Sequence, residues 1–486
     1  MKKVLVTLVA VATLAAFAGT ASAVTCTIDH KPAATLLLPY FQTSVSNTGG
    51  TIAPTPFGTG ITPAPGGDTL VTVVNASAAP ALAHVTVWTN RSVPVLDFNI
   101  GLTGFDVLSW SMSHVLTGDL PVNPALSGEN ACADSSFKRF TPTAYPTVND
   151  PTASTNYGSP AFPQSFAASL VAELDGSDPC ATGAGEANFD ANGNDQLIGY
   201  VTIDMVNYCT FDNPNDPTYW EDVAAGFENL LWGDYTIQSE GTTPTFGGPL
   251  VGLEADVAEL NGTNAAIDAP VRTFYARYWE GSDGSLNSAL TGTDNGGASY
   301  FSTIGLVPPI YGDMREPLGV TYGARYINAA AGDSTFLRAW RASADELSDL
   351  TGADCTAVEP NVFTVIWDED EVPSQQTGCQ VSPCPPGLTF NIPYETQRES
   401  IAEFGGSSAA GAGWAYVDFG ANGTVLDQAW LAYDFSVPGA FANSGIDAVS
   451  FDANNCVPAD FSGAVFPAVP EVPTPANADG NTGSGF

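Results

Sequence analysis

Basic side chains are scarce in this chain of 486 residues, where 13 Lys and Arg stand against 52 Asp and Glu and give a formal net charge of −39. A surface of this charge repels phosphates, which argues against nucleic acid as a partner. Histidine occurs only three times and leaves few general bases or zinc ligands. Aromatic residues, by contrast, are plentiful, with 26 Phe, 16 Tyr and 9 Trp. So many aromatic side chains exclude a chain that is disordered throughout.

Long apolar runs are absent after residue 17, so we expect no transmembrane segment in the mature chain. The one such run, residues 4–17, follows Lys2 and Lys3 and precedes the small residues 21–23. It is shorter than the ~20 residues of a membrane-spanning helix. This arrangement predicts a bacterial-type signal peptide over residues 1–23. We therefore expect an exported protein, either secreted or held in the cell envelope.

The eight cysteines favour the same compartment, because an even number of cysteines in an oxidising environment is typical of disulfides. Zinc is the alternative, but no C-x-x-C pair occurs in the chain. Four cysteines lie before residue 210 and four after residue 354, which predicts two separately cross-linked halves. The predicted disulfide cysteines are Cys26, Cys132, Cys180, Cys209, Cys355, Cys379, Cys384 and Cys456.

Short runs rich in Val, Ile, Thr and aromatic residues recur along the chain, and they are separated by segments that contain many of the 49 Gly and 36 Pro. Such runs predict β-strands joined by turns. Helical periodicity is found chiefly over residues 164–174, with a second short helix expected over 221–229. We therefore expect an all-β protein with one or two short helices in insertions.

Three landmarks recur in the same order in both halves of the chain. They are 73–78 with Trp88 and 326–331 with Trp340, then 199–204 and 413–418, then Trp232 with Tyr235 and Trp430 with Tyr433. The repetition predicts an internal duplication. Sequential antiparallel strands that each bury one face predict two tandem immunoglobulin-like β-sandwiches. The alternative is chance similarity between segments that are rich in glycine and aromatic residues.

The predicted organisation follows from these patterns and from the turn-rich segments between the halves. A signal peptide (1–23) is followed by an N-terminal β-sandwich with a helical insertion (24–250) and a C-terminal β-sandwich (251–466). From residue 467 to 486 the composition narrows to Pro, Ala, Gly, Asn and Thr, which predicts a flexible tail.

Motifs for catalysis are missing, since the chain contains no G-x-S-x-G, H-E-x-x-H or P-loop sequence. His84 lies inside a predicted strand, where a packed histidine is a better interpretation than a general base. Asp204 and Asp418 occupy matching positions in the repeated strands. We expect each to cap a turn, to accept a backbone N–H or to pair with an arginine. No catalytic residue is assigned, and the interpretation leans towards a protein that is not an enzyme.

One loop combines oxygen-bearing residues in a spacing that resembles the start of a calcium-binding loop. Its candidate ligands are Asp190, Asn192, Asn194 and Asp195, with Gly193 between them. The same residues are typical of a plain turn, which is the favoured interpretation. Calcium is therefore the one cofactor that the sequence suggests.

Six of the basic residues are arginines in the cysteine-free middle of the chain, and several of them flank aromatic residues. They are Arg272, Arg277, Arg315, Arg325, Arg338 and Arg341. Arginines next to aromatic rings can stack on sugars or nucleotides. In so acidic a chain, pairing with carboxylates along the strands is the favoured arrangement. The cluster could also dock an acidic surface of the same protein.

The function expected from these features is that of an exported, disulfide-stabilised, non-enzymatic module, structural or adhesive, at the cell surface or outside the cell. Its partners would be cell-surface components, matrix components or glycans. The alternative is a carbohydrate-binding module or a glycan-active enzyme that uses exposed aromatic residues and carboxylates. Exposed aromatics would favour the alternative, and buried aromatics would favour the first function.

The cysteine distribution predicts that the disulfides segregate between the halves. We expect the pairs Cys26–Cys209, Cys132–Cys180, Cys355–Cys456 and Cys379–Cys384, each of which stabilises the fold by ~2–4 kcal/mol. Non-reducing peptide mapping of the mature protein checks the pairing. A bond between the first four cysteines and the last four would contradict it.

Overall fold

The chain folds into antiparallel β-sheets. A computed structural model describes residues 31–47, 61–121, 164–175, 194–210, 212–214, 219, 225–238, 245–255, 274–275, 315–328, 334–342, 361–370, 388–391, 394–401, 411–420, 428–436 and 446–450. These residues form nineteen strands and two helices, so the predicted all-β class is confirmed. Within them, no helix is long and apolar enough to cross a membrane.

The first half of the chain contributes ten strands and both helices. They are β1 (Thr35–Asn47), β2 (Ile61–Pro63), β3 (Asp68–Asn75), β4 (Ala81–Thr89), β5 (Pro94–Leu102), β6 (Val107–Ser111), α1 (Met112–Leu116), α2 (Gln164–Leu174), β7 (Asp195–Met205), β8 (Leu231–Gln238), β9 (Thr245–Pro249) and β10 (Val251–Leu253). Sheet 1 has the order β6-β3-β8-β9, and sheet 2 has the order β10-β1-β7-β4-β5, with β2 paired to the end of β1.

The second half contributes nine strands. They are β11 (Thr321–Asn328), β12 (Ser334–Ala342), β13 (Asn361–Asp368), β14 (Leu388–Asn391), β15 (Thr396–Ser400), β16 (Gly411–Asp418), β17 (Gln428–Ser436), β18 (Ile446–Asp447) and β19 (Val449–Ser450). Sheet 3 has the order β15-β12-β17-β18, and sheet 4 has the order β14-β13-β16-β11-β19.

The two halves have the same strand connectivity. With β2 set aside, the remaining nine strands of the first half and the nine of the second correspond in chain order, from β1 with β11 to β10 with β19. This correspondence converts the order of sheet 1 into that of sheet 3 and the order of sheet 2 into that of sheet 4.

Burial along the strands shows how the four sheets are stacked. In β8 buried residues alternate with more exposed ones, as expected for a sheet with one face in solvent. In β4 all nine residues are buried, as expected for a strand that is covered on both faces. Sheet 2 therefore lies in the interior of the molecule, and sheet 1 lies at its surface.

Sheet 3 connects the two hydrophobic cores, because its faces belong to different cores. Trp340 and Trp430 project from one face into the core of the first half. Leu337 and Leu431 project from the other face into the core that sheet 3 shares with sheet 4. The layers thus follow one another as sheets 1, 2, 3 and 4.

The helices agree with the sequence prediction only in part. The helix predicted over residues 164–174 is confirmed as α2. The helix predicted over 221–229 is wrong for the described residues 225–229, which are not helical. Here Ala225 bridges to Val206, and the Asn229 side chain binds both backbone groups of Ala255. A short unpredicted helix, α1, begins after the N-cap Ser111, whose hydroxyl accepts from the N–H of His114.

The predicted division at residue 250 falls just before β10, which pairs with β1 of the first half. The division into two sandwich domains stays a prediction. The predicted signal peptide and tail lie outside the described residues.

Two glycines at matching positions predict a shared sensitivity to substitution. A Cβ on Gly199 would clash with the carbonyl oxygen of Trp88, and a Cβ on Gly413 would clash with that of Trp367. Because these neighbours are backbone atoms, we expect Gly199→Ala and Gly413→Ala each to lower the free energy of unfolding by about 1–3 kcal/mol. Urea denaturation measures the loss.

Gly248 is the control for both variants, because it also lies in a strand and a Cβ there meets nothing within 4 Å. Gly248→Ala should change stability by less than about 0.5 kcal/mol. Equal effects at all three positions would contradict the proposed close approach of the backbone.

Candidate functional site

The face of sheet 2 that points away from sheet 1 carries a row of polar side chains. The register places Thr35, Asp204, His84 and Asn99 side by side on β1, β7, β4 and β5. All four are buried, and Asp204 has no exposed surface. A buried polar row of this kind needs internal hydrogen-bond partners, and these identify the candidate site.

Asp204 lies at the centre of a dense set of donors. The hydroxyl of Tyr275 donates to both of its carboxylate oxygens at 3.0 Å, and the hydroxyl of Tyr219 donates to Oδ2 at 3.0 Å. The hydroxyl of Thr35 donates to Oδ1. Arg315 Nε lies 3.6 Å from the same oxygen. Four groups from separate segments thus converge on one carboxylate.

Burial raises the pKa of Asp204, while Arg315 and the three hydroxyl donors act in the opposite direction. Burial and the negative charge of Asp204 raise the pKa values of Tyr219 and Tyr275 well above 10. Both phenols therefore keep their protons at neutral pH and serve as hydrogen-bond donors.

Arg315 reaches this carboxylate from the segment that leads into β11. Its Nε donates to the Thr35 hydroxyl, and its Nη2 donates to the Gly226 carbonyl at 3.1 Å. Its guanidinium also lies 5.7 Å from the ring centre of Tyr275. A salt bridge between residues 204 and 315 therefore joins the two halves in the interior of the protein.

His84 follows Asp204 in the row and is held in one tautomer. The Asn99 amide donates to the Thr210 carbonyl at 2.9 Å and accepts from the Thr210 N–H, which fixes its Oδ1 as the acceptor. His84 Nδ1, 3.1 Å from this oxygen, is therefore the protonated nitrogen. In the described part of the chain, His84 Nε2 has no hydrogen-bond partner, and its nearest carboxylate oxygen, on Asp97, lies 4.0 Å away.

Burial lowers the pKa of His84 to about 4, although the bond to Asn99 favours the proton. The imidazole is therefore neutral at pH 7. This agrees with the sequence interpretation of a packed histidine.

A second buried ion pair lies where sheet 3 meets the first half. Arg338 of β12 places its guanidinium 4.3 Å from the ring centre of Phe246 and 4.9 Å from that of Tyr40. Its Nε lies 3.3 Å from Asp434, which also accepts from Arg398 at 3.1 Å. Burial lowers the pKa of Arg338, and Asp434 opposes that effect. The cation thus lies between two aromatic rings of one half and a carboxylate of the other.

Further bonds connect the same surfaces. The Thr396 hydroxyl donates to the Pro39 carbonyl at 2.5 Å, and the Gln428 amide donates to the Phe274 carbonyl at 3.0 Å. The ring of Trp340 stacks on Phe274, with centres 5.3 Å apart, and meets Tyr200 edge to face at 5.9 Å. Sheet 2 and sheet 3 are therefore held together by a cation–π contact, hydrogen bonds and aromatic rings.

The two aspartates singled out in the sequence have different local roles. Asp204 pairs with an arginine, whereas Asp418 accepts the Gly420 N–H at 2.9 Å and caps the turn after β16. Both arrangements were among the alternatives expected.

Among the arginines, Arg315 and Arg338 pair with carboxylates, as the favoured interpretation predicts. Arg325 is exposed on β11, and Arg341 is buried on β12. Arg272 and Arg277 lie outside the described residues. Sequence reasoning missed Tyr219 and Tyr275, because nothing in their surroundings marks them as donors to a distant strand.

The predicted calcium loop is described only at its end. Asn194 precedes β7, Asp195 is its first residue, and Asp190 and Asn192 lie outside the described residues. In the part of the chain that is described, no three His, Cys, Asp or Glu side chains could together hold a metal ion. The calcium site stays a prediction.

Cys209 is the one cysteine among the described residues, and it is buried and disulfide-bonded. The other seven cysteines lie outside the described residues, and their pairing stays a prediction; they are Cys26, Cys132, Cys180, Cys355, Cys379, Cys384 and Cys456.

Comparison of the chain with protein-family models, curated proteins and solved structures finds no match.

The ion pair of Asp204 generates a prediction with an internal control. Asp204→Asn removes the buried carboxylate that pairs with the buried Arg315, and we expect a loss of about 3–5 kcal/mol in unfolding free energy. Asp418→Asn is the matched control, because the new amide oxygen can still accept the Gly420 N–H. It should cost less than about 1 kcal/mol. Similar losses in the two variants would contradict the assigned role of Asp204.

The depressed pKa of His84 predicts a loss of stability in acid. The unfolded imidazole binds a proton below its ordinary pKa of 6.5, whereas the folded one binds it only below about 4. The neutral His84 therefore costs the fold nothing above pH 6.5. As the pH falls from 6.5 towards 4, the free energy of unfolding drops by about 3 kcal/mol in all.

His84→Phe isolates this effect, because phenylalanine is the residue at the matching position, 363, of the second half. Unfolding free energies of both proteins are measured between pH 7 and pH 4. The wild type should lose about 3 kcal/mol more than the variant over this range. Parallel pH profiles would show that His84 does not titrate as assigned.

Proposed function

We propose that this protein is an exported, disulfide-stabilised, non-enzymatic module with a structural or adhesive role at the cell surface or outside the cell. The observation that carries the proposal is that the residues which could act in catalysis are buried and take part in contacts within the fold. Asp204, His84, Tyr219 and Tyr275 are buried between sheets, where their hydrogen bonds and pKa shifts suit cohesion of the fold. The buried Arg315 ties the segment before β11 to sheet 2, and the buried Arg338 of sheet 3 lies over the ring of Tyr40 in sheet 2, as expected of a protein that has to resist separation of its parts.

We further propose that the two halves are β-sandwiches that arose by duplication. The identical strand order supports this, and the register extends it to single residues. The stacked pair Trp88 and Tyr200 corresponds to the stacked pair Trp367 and Trp414. Thr35 opposite Asp204 corresponds to Thr321 opposite Asp418, and Trp232 with Tyr235 corresponds to Trp430 with Tyr433. The register replaces one landmark of the sequence comparison, because it aligns Trp88 with Trp367 and not with Trp340.

The strand order argues for a jelly-roll type of sandwich in place of the immunoglobulin type expected from the sequence. In an immunoglobulin domain the last strand pairs with its predecessor in the same sheet. Here the chain leaves sheet 2 after β7 and enters sheet 1 at β8, which pairs with β3. Repeated crossing between two sheets is typical of jelly rolls.

Carbohydrate binding is the second candidate function, and one observation favours it. Trp367 and Trp414 stack with their ring centres 4.6 Å apart, and Trp414 is 41% exposed. The acidic residues 368–370 follow directly, and Arg325 is exposed opposite Trp414. Indole rings beside charged groups can form a platform for a sugar ring.

Cell fractionation with N-terminal sequencing tests the proposed export. The chain should be found outside the cytoplasm and should begin at Val24, and the purified mature protein should bind isolated envelopes or matrix material. A cytoplasmic protein that keeps residues 1–23 would contradict the proposal. So would catalytic turnover of a glycan.

A glycan array separates the two candidates. If sugar binding is the function, Trp414→Ala should abolish it, whereas Phe105→Ala should not, because Phe105 is an exposed aromatic residue in the turn before β6, away from the indole stack. Absence of binding to every glycan, together with binding to envelopes, would favour the structural or adhesive role.

A further inference from the structure

The contact between sheets 2 and 3 corresponds to a contact that a single chain cannot form, although the chain contains both of the sheets involved. Sheet 2 corresponds to sheet 4, and sheet 3 corresponds to sheet 1, so the pair that corresponds to sheets 2 and 3 is the pair of sheets 4 and 1. These two sheets lie at opposite ends of the stack. Within one chain they cannot meet.

The outer face of sheet 4 is unusual for a surface. At the positions where sheet 2 has the buried His84, Thr86 and Thr202, sheet 4 has Phe363, Val365 and Tyr416. Both indoles of the Trp367–Trp414 stack lie on this face as well. At these three positions the buried face is therefore polar and the outward face is apolar, the reverse of what solvation alone would favour. On this face Trp414 is 41% exposed, Phe363, Trp367 and Tyr416 are partly exposed, and Val365 is buried among them. An apolar patch that solvent still reaches is typical of an interaction surface.

The outer face of sheet 1 is the matching surface. Val107, Val74 and Trp232 form a row across β6, β3 and β8, at the positions held in sheet 3 by Thr396, Trp340 and Trp430. Val107 is 56% exposed, and Leu70 on the same face is 51% exposed. In sheet 3 this row packs on sheet 2, where Trp340 meets Tyr200.

The two outer faces also carry one pair of opposite charges. Arg325 is exposed on sheet 4, at the place that Pro39 and Tyr40 take in the irregular part of β1. Tyr40 contacts Arg338, whose counterpart on sheet 1 is Thr72. Thr72 lies opposite the exposed Asp234. A contact with the geometry of that between sheets 2 and 3 therefore brings the Arg325 guanidinium close to the Asp234 carboxylate.

We propose that sheet 4 of one copy of this chain binds sheet 1 of the next copy, in the arrangement by which sheet 2 binds sheet 3 within a chain. In this contact Trp414 packs on the row Val107, Val74 and Trp232, and Arg325 pairs with Asp234. The interface is heterologous, so each added copy presents a fresh sheet 4, and the assembly is an open series of copies. The inference deepens the proposed structural role and rests on it.

Sedimentation velocity of the full mature chain over a range of concentrations tests the assembly. Because copies of so acidic a chain (formal net charge −39 before residues 1–23 are removed) repel one another, the salt is set to at least about 0.15 M, where the screening length is about 8 Å. The wild type should form dimers, trimers and longer species as its concentration rises. A single monomeric species at every concentration overturns the proposal.

Two single variants define the faces. Trp414→Asp blocks sheet 4 and Val107→Asp blocks sheet 1, and each should weaken association by about 30-fold or more when studied alone. An equimolar mixture should form a one-to-one dimer and nothing larger, because one intact face of each kind remains. Val93→Asp is the matched control, since Val93 is a partly exposed valine in the turn before β5, outside both faces. It should associate like the wild type.

A symmetric contact between two copies of sheet 4 would give a different pattern, in which Val107→Asp still dimerises alone and the mixture adds nothing. That pattern overturns the proposal. Thermal unfolding checks that each variant is folded, and a charge exchange replaces any variant that is not. Arg325→Glu and Asp234→Arg should each associate weakly alone and recover association when mixed, and failure to recover also overturns the assembly.

The outcome is separable from the proposed function. A monomeric protein that is exported and binds envelopes leaves the structural or adhesive role intact and removes the assembly. Loss of glycan binding in Trp414→Asp, with a monomeric wild type, assigns the apolar face to sugar and likewise overturns the assembly.

Discussion

A carboxylate in the middle of a sheet that is covered on both faces determines much of what surrounds it. Asp204 has no access to water, and an ionised carboxylate in such a place costs several kcal/mol unless donors and a counter-charge reach it. A whole domain is stable by only about 5–15 kcal/mol. The donors come from β1, from residue 219 and from residue 275, and the counter-charge comes from residue 315. Pairing this one charge therefore requires that segments far apart in the chain meet at the same point.

The same scaffold is used in two ways, and the difference lies on one face. In the first half the face of sheet 2 that meets sheet 3 carries Asp204, which accepts hydrogen bonds from tyrosines outside the sheet. In the second half the described part of the matching face of sheet 4 carries the aromatic residues Phe363, Trp367, Trp414 and Tyr416. The backbone geometry is the same in both halves, since Gly199 and Gly413 each lie against a tryptophan carbonyl. The side chains can still differ in chemistry, because His84 and Phe363 occupy corresponding positions.

The sequence predicts the local features of this fold better than its long-range contacts. Alternation of apolar residues and the periodicity of residues 164–174 identify strands and α2, because both depend on neighbours in the chain. The Gly-aromatic segments are recognisable in the sequence because the close approach of backbone at Gly199 and Gly413 excludes a side chain. The register places Trp88 opposite Tyr200 and Trp367 opposite Trp414, and composition does not specify such pairing. Tyr219 and Tyr275 could not be assigned to Asp204, since they lie in connecting segments whose course depends on the folded structure.

The distribution of charge determines how copies of this acidic chain approach one another, which the composition alone does not show. Two of the few cations, Arg315 and Arg338, are buried together with the carboxylates of Asp204 and Asp434, so these pairs cancel and the surface keeps the full negative net charge. Like charges keep copies of the chain apart at low ionic strength, where screening is weak. Apolar contact acts only when two complementary faces meet, and it is little affected by salt. A surface that repels everywhere except at matched faces therefore selects one arrangement, and its strength rises as salt screens the repulsion.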